Sequence, residues 1–275
     1  MPTVSRLIAF GSQGFYNRNI TLSTIQQNYN LYNDVVALGG WDLITPVNIR
    51  LTLNASCYSL NTGIPALSIS GFPTFSKIFL TVSSSYYIAG SGGLGGGLWY
   101  TLSDGSPGGT GLYTRNTTFI YNSGTIGGGG GGGGQGRSIF EVSYNNYMGG
   151  GGGGGGASYG SPGDGMNFAG WTPGASGAGG GLAAGGGGGA GGYAQAWDNT
   201  DPANPVLVYD IQAGAGGAGG ALGVAGSTGG QGYLTAGGLY VWTAATIGGA
   251  AGYSIDGASY CTFTTAGTIA GAQVN

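Results

Sequence analysis

Residues 125–137 read TIGGGGGGGGQGR and residues 148–158 read MGGGGGGGGAS, so the chain contains two runs of eight consecutive glycines. Such runs offer no side chains from which an ordinary apolar core is built. Ordering glycine also costs more backbone entropy than ordering any other residue. The runs are therefore either flexible linkers or segments whose ordering is offset by a dense set of main-chain hydrogen bonds.

The ordered alternative is a polyproline-II-type helix, which has three residues per turn, rises about 3.1 Å per residue and makes no internal hydrogen bonds. Glycine helices of this type can lie side by side and bond to one another through their outward N–H and C=O groups. Eight residues then span about 25 Å. A collagen triple helix is excluded, because the chain has only 9 prolines and lacks a strict Gly-X-Y period.

The glycines are concentrated in the later part of the chain. Residues 1–88 hold 6 of the 68 glycines, and the remaining 187 residues hold 62. This shift predicts three parts: an N-terminal attachment or scaffold domain (1–88), a glycine-rich domain with aromatic loops (89–247) and C-terminal closing strands (248–275). The predicted fold class is mostly β and irregular, with a small N-terminal α+β domain followed by a sandwich of polyglycine II helices with short flanking strands.

The N-terminal domain shows ordinary secondary-structure patterns. Apolar spacing over residues 21–38 predicts one helix, capped by Ser23 or Thr24 and stopped by Gly39. Strict alternation over residues 47–53 predicts a half-buried strand. Residues 65–70 and 78–83 are further strand candidates, so one helix is expected against a small sheet.

A weak repeat recurs three times, as an alternating strand followed by a turn and a step that contains isoleucine. Its copies are residues 79–90, 118–127 and 261–271. The first two copies lead directly into glycine tracts. The third copy ends the chain, and we expect it to be an edge strand that closes the structure.

Aromatic residues mark the segments between glycine runs, where they are mixed with Ser, Asn, Asp and Gly. Such a mixture is typical of binding loops, because Tyr and Trp give large contact areas at low entropic cost. The alternative is that these aromatics cap the ends of the glycine array and shield it from water. Antiparallel runs are expected to send alternate segments to opposite ends. The candidate receptor-binding residues are Phe140, Tyr144, Tyr147, Tyr159, Phe168, Trp171, Tyr193, Trp197, Tyr209, Tyr240 and Trp242.

Composition removes several function classes. The chain has no histidine and a single lysine, Lys77, which rules out histidine general bases, Ser-His-Asp triads and a phosphate-binding loop. We therefore expect no enzyme activity, cofactor or metal site.

A net charge of −3 without a basic patch disfavours binding to nucleic acid. The uncharged stretch 211–255 is too rich in glycine and alanine to insert into a membrane. Cys57 and Cys261 are expected as buried thiols, with a bridge between them as the alternative.

Three segments resemble a known group of proteins. Residues 27–47, the junction at 121–126 that enters a glycine run, and residues 250–271 resemble the glycine-rich tail-fibre and tail-tip adhesins of tailed bacteriophages, in particular the T-even-like distal type. The resemblance implies a front domain that binds other tail-fibre or tail proteins, and polyglycine II helices that present loops to a host outer-membrane protein or surface glycan. It places the protein in the virion, at a tail fibre or tail tip, after synthesis in the host cytoplasm. The alternative is a purely structural virion protein that caps or decorates a tail or capsid.

Overall fold

The computed structural model describes residues 14–97, 102–141, 146–166, 171–198, 206–235 and 240–275. Over these residues the protein is mostly β, with one α-helix of eight residues. Parallel strands from residues 16–89, 112–127 and 255–274 form a coil, and glycine-rich segments between residues 90 and 254 lie beside one another.

The elements follow one another in chain order. They are β1 (Tyr16–Leu22), β2 (Gln26–Gln27), β3 (Tyr29–Asn30), α1 (Leu31–Leu38), β4 (Val47–Leu53), β5 (Cys57–Tyr58), β6 (Leu67–Ile69), β7 (Lys77–Val82), β8 (Tyr87–Ala89), β9 (Leu112–Thr114), β10 (Thr117–Gly127), β11 (Ile139–Glu141), β12 (Asn146–Met148), β13 (Trp171–Thr172), β14 (Tyr193–Asp198), β15 (Val206–Gln212), β16 (Tyr233–Leu234), β17 (Tyr240–Trp242), β18 (Ile255–Asp256), β19 (Cys261–Ala270) and β20 (Gln273–Val274).

The coil consists of two parallel sheets that the chain visits in turn. In the first sheet β1, β4, β7, β10 and β19 are neighbours in that order, and β2, β5 and β8 extend it beside the end of β10. In the second sheet the order is β20-β18-β9-β6-β3. Each pass through both sheets returns the chain to the first sheet one strand further along. The first three passes begin at residues 16, 47 and 77.

Alternating apolar side chains fill the space inside the coil. Val47, Ile49, Leu51 and Leu53 of β4 are fully buried, and the residues between them are not, which confirms the strand predicted there. The candidates at 65–70 and 78–83 are also strands, as β6 and β7. Because β7 repeats the same alternation one strand along, the buried side chains stack into a continuous apolar core.

The predicted helix is shorter than its pattern suggested. Only Leu31–Leu38 is helical, and its N-cap is Asn30, whose side chain accepts a hydrogen bond from the N–H of Asn33. The expectation of a cap at Ser23 or Thr24 was wrong, because residues 26–27 pair with β5 and Asn28 turns the chain with a φ of 52°. Pairing between strands thus overrides local helix propensity. The stop at Gly39 is confirmed, with its N–H bonded to the carbonyl of Val36.

The three repeat copies lie beside one another in register. Ile88 pairs with Ile126, and Ile126 pairs with Ile269, so the isoleucine steps form one row across β8, β10 and β19. Among the described residues β19 pairs with β10 alone, which confirms it as the edge strand of this sheet. The sheet therefore contains strands from 16–89, from 117–127 and from the end of the chain.

Ten glycine-rich segments of the described chain lie side by side, joined by main-chain hydrogen bonds. These bonds recur at every third residue, as in Gly131 N–H to Val224 O, Gly134 N–H to Ser227 O and Arg137 N–H to Gly230 O. Exposure has the same period, since residues 215, 218 and 221 are exposed alanines and the glycines one position earlier are buried. The segments are 90–97, 103–111, 128–136, 149–157, 160–166, 174–181, 185–192, 213–221, 224–231 and 246–254.

The two eight-glycine runs are at the centre of this array. Segments 128–136 and 149–157 are each bonded to six neighbours, and the other eight segments form a closed ring around them in the described part of the chain. A Cβ atom at Gly132 would lie 1.8 Å from the carbonyl oxygen of Leu94, and one at Gly153 would lie 1.9 Å from that of Gly133. No glycine of the two runs has a positive φ. Close approach of backbones, rather than an unusual φ, therefore requires glycine there.

Candidate functional site

The two ends of the glycine array differ in what connects the segments. At the end nearer the coil three connections are short turns, at 158–159, 182–184 and 222–223, and a fourth runs through β9 and β10 of the coil. Two of the turns contact the coil. Tyr159, in the turn after segment 149–157, packs edge-on against Tyr58 of β5 at 5.3 Å between ring centroids. Leu222, in the turn after segment 213–221, packs against Ala270 of β19. This near end is thus occupied by the coil.

At the far end four of the connections supply strands to two small sheets. One sheet has the order β13-β12-β11-β17, and the other has the order β14-β15-β16. A separate apolar cluster joins the two sheets at this end. Its buried members are Ile139, Met148, Ile211 and Ala213, with the partly buried Leu234 and Trp242 packed against them. Four separate connections of the chain thus form one body, which we call the far-end body.

Strand register places most of the predicted aromatic residues in the far-end body. Phe140 pairs with Tyr147 and Val241, and Tyr147 pairs with Trp171, so these residues form one row across the four-stranded sheet. Val241 in that row is 58% exposed. The remaining ones are Tyr193 and Trp197 in β14, Tyr209 in β15, and Tyr240 and Trp242 in β17.

Three predicted residues are not in the far-end body as described. Tyr159 lies at the near end, against the coil. Tyr144 and Phe168 lie outside the described residues. The expectation that alternate aromatic segments go to opposite ends was wrong. Short turns such as 182–184 reverse the chain at the near end, so each long segment returns to the far end.

One cation stands at the base of the far-end body. The Nε of Arg137 donates to the carbonyl of Thr243 at 2.7 Å, and its guanidinium lies 5.1 Å from the ring centroid of Trp242. Its Nη1 donates to the side-chain oxygen of Gln231. Arg137 directly follows a central glycine segment, so these contacts fix β17 to the array.

The candidate receptor-binding residues predicted from the sequence did not include Asp210, Gln212 and Tyr233, which also belong to this end. Tyr193 pairs with Gln212, and Gln212 pairs with Tyr233. The hydroxyl of Tyr233 lies 3.4 Å from Oδ1 of Asp210, and the hydroxyl is the donor. Desolvation and the Asp210 carboxylate raise the pKa of both Tyr193 and Tyr233. The alternation of residues 206–212 was the signal that could have placed Asp210 beside Gln212 on one strand face.

The described residues contain no group of three or more His, Cys, Asp or Glu side chains placed to hold a metal ion. Cys57 and Cys261 are free thiols, of which Cys57 is buried. No helix in the described ranges has the length and apolar character required to cross a membrane.

Fold and far-end body define a class of protein: a coil of parallel strands that carries a glycine-rich array with loop-built sheets at its far end. Residues 17–274 match the family model of the phage tail fibre adhesin Gp38, and the chain belongs to this family. It is a bacteriophage tail-fibre adhesin, a component of the virion tail that serves host recognition.

A solved structure has a similar fold. It is the crystal structure of the gp37-gp38 adhesin tip complex of the bacteriophage S16 long tail fiber, matched with a TM-score of 0.58 and 24% identity over 94% of this chain and 82% of that chain. No curated protein matches the chain.

Proposed function

We propose that the far-end body is the surface with which this adhesin contacts a receptor on the bacterial outer surface. The observation that carries the proposal is the gathering of four long connections into two sheets at the end away from the coil. Eight predicted aromatic residues belong to these strands. Aromatic side chains on a rigid support are suited to tight binding, because little conformational entropy is lost on contact.

The rigid support in this proposal is a sandwich of polyglycine II helices. Hydrogen bonds at every third residue, exposure with the same period and the absence of positive φ in the central runs support three residues per turn. Six bonded neighbours around each central run support hexagonal packing. Such an array holds the far-end body still by main-chain bonds rather than by side-chain packing.

The coil, with strands from 16–89, 112–127 and 255–274, is proposed to attach the adhesin to other tail-fibre proteins. Its loops before β4 and β7 expose Ile44 by 74% and Phe75 by 80%. Leu43 and Phe75 have φ values of 66° and 70°, a strained region for such side chains that costs about 1–3 kcal/mol each. A backbone conformation that is strained and leaves apolar side chains exposed to water supports the proposal that these loops bind another protein. The related S16 structure is itself a complex of gp37 with gp38.

The proposed action is non-covalent binding without catalysis, by a protein made in the host cytoplasm and displayed at the tip of a tail fibre. The receptor is an outer-membrane protein or a surface glycan. Adsorption to bacteria tests the role of the far-end body. We expect Trp171→Ala or Trp197→Ala to reduce binding of the purified full-length protein to bacteria that the parent phage infects.

Tyr253→Ala is the matched control, because Tyr253 is a 46% exposed aromatic on the side of the array, in segment 246–254. It should bind as the unmodified protein does. If all three folded variants bind equally well, the far-end body is not the receptor surface and the structural alternative, a cap without receptor contact, is favoured. The coil is tested separately, since Ile44→Asp with Phe75→Asp should abolish incorporation into virions while cell binding by the free protein persists.

A further inference from the structure

One face of the three-stranded sheet in the far-end body combines tyrosines with hydrogen-bonding side chains. Tyr193, Gln212 and Tyr233 form a row across β14, β15 and β16. Asp210 is two residues before Gln212 on β15, which places it on the same face. The residues of the intervening row behave differently, since Ile211 is buried and Leu234 packs in the apolar cluster. We call the surface of Tyr193, Asp210, Gln212 and Tyr233 the tyrosine face.

The tyrosine face is exposed and partly pre-organised. Tyr193 and Tyr233 are each 43% exposed, so part of each ring is open to solvent. The hydroxyl of Tyr233 points to Oδ1 of Asp210. Thr235 closes β16 onto the same residue through its N–H and its hydroxyl, both of which donate to the main-chain carbonyl of Asp210. The two tyrosines lie two strand spacings apart, about 10 Å.

The charge of this surface limits the kind of ligand that fits it. After Arg137 the sequence contains six acidic and no basic residues. Arg137 itself is engaged by the carbonyl of Thr243, the Gln231 side chain and the Trp242 ring. An anionic ligand would meet the Asp210 carboxylate without a free cation among the described residues of the sheet. A neutral ligand rich in hydroxyl groups avoids that repulsion and supplies donors to the carboxylate.

We propose that the tyrosine face binds a neutral glycan of the bacterial surface, with the sugar rings packed on Tyr193 and Tyr233 and their hydroxyls bonded to Asp210 and Gln212. Ring faces of tyrosine cover the C–H surface of a sugar while the phenol groups remain hydrogen-bonded. The carboxylate accepts two hydroxyl donors, and the amide offers both donors and an acceptor. This inference rests on the proposed function, because it names the ligand class for one part of the same surface.

The test measures binding of the full-length protein to delipidated polysaccharide from bacteria that the parent phage infects, by isothermal titration calorimetry. We expect Tyr233→Ala and Asp210→Asn each to weaken binding at least tenfold. Each substitution removes a contact of the sugar, and a ligand hydroxyl that is taken out of water without a hydrogen-bond partner lowers the affinity. Tyr253→Ala is expected to bind normally. Added salt should leave the affinity unchanged, since the ligand is neutral.

The outcomes separate the two proposals. If the protein binds whole cells through the far-end body but does not bind the polysaccharide, the glycan proposal is overturned and the receptor is a protein. If Asp210→Asn and Tyr253→Ala bind the polysaccharide equally, the tyrosine face is the wrong surface. If far-end substitutions leave cell binding intact as well, the proposed function fails with it. Circular dichroism of each variant confirms folding, and Tyr233→Phe provides a variant that keeps the ring.

Discussion

Replacement of one central glycine by alanine tests whether the array is held together by close main-chain contacts. A Cβ atom at Gly132 would lie 1.8 Å from the carbonyl oxygen of Leu94, whereas ordinary contact begins at 3.4 Å. Segment 90–97 must therefore move by the difference between these distances. Gly93 and Gly96 donate to the central run at 2.8 and 2.7 Å, and Ser106 donates to Leu94 at 2.8 Å.

Loss of these three hydrogen bonds, at roughly 0.5–1.5 kcal/mol each, gives a destabilisation of about 3 kcal/mol. The lower entropy of the unfolded alanine chain offsets roughly 0.4–1 kcal/mol of it. At about 2–4 °C per kcal/mol, the melting temperature of Gly132→Ala should fall by roughly 4–10 °C. Differential scanning calorimetry of the purified protein measures this shift.

The matched control is Gly187→Ala, at an outer segment where a Cβ atom meets nothing within 4 Å. It removes the same glycine flexibility without the collision, so its melting temperature should stay level or rise slightly. Gly153→Ala repeats the test in the second central run, where the Cβ would lie 1.9 Å from the carbonyl of Gly133. If Gly132→Ala and Gly187→Ala melt at the same temperature, close packing of the central runs is refuted.

Three further predictions concern the coil and the near end. Ile126→Ala should lower the unfolding free energy by about 2–5 kcal/mol, because this isoleucine is fully buried. Ile25→Ala is the control: its side chain is 67% exposed, so the substitution should change the unfolding free energy by less than about 0.5 kcal/mol. Denaturant titrations measure both values. Tyr159→Ala should lower the melting temperature by removing the contact with Tyr58 and leave cell adsorption unchanged; reduced adsorption of the folded variant would contradict its placement at the near end. Burial raises the pKa of Cys57 from 9.0 to about 12 and that of Cys261 to about 11, so the folded protein keeps protons that the unfolded chain releases. The unfolding free energy should therefore be level below pH 9 and decrease between pH 9 and 11, and a flat profile over that range would contradict the burial of Cys57 and the partial burial of Cys261.

Local patterns in the sequence predicted the coil elements well. The alternation of apolar and polar residues predicted β4 with its correct bounds. The repeat that contains isoleucine predicted three strands, and these pair in register. The helix was predicted too long because residues 26–27 pair with β5, a contact with residues about thirty positions further along that no local window contains. That the two sheets form one coil also depends on pairings between distant strands, which periodicity does not reveal.

The far end was harder to predict for a similar reason. Aromatic composition pointed to most of the strands that form it, but the reversals at 158–159, 182–184 and 222–223 contain few residues and no shared motif. Because those turns were not recognised, alternate aromatic segments were expected at opposite ends of the array, although the central runs are antiparallel as expected. Asp210 was not predicted as a binding residue, because a single acidic residue in the sequence does not indicate a site. Its position near two tyrosines depends on strand pairing, which the sequence does not show.

Pairing between β10 and β19 has a consequence for how the protein folds during synthesis. Thr118 pairs with Cys261, so 143 residues separate the partners along the chain. At roughly 5–20 residues per second, the ribosome needs about 7–30 seconds to produce the partner strand after β10 has emerged. During that interval the edge of β10 is open to other chains, and contacts of such long range slow folding. An unpaired strand edge favours aggregation during that interval, and covering β10 until β19 has been made would raise the yield of folded adhesin.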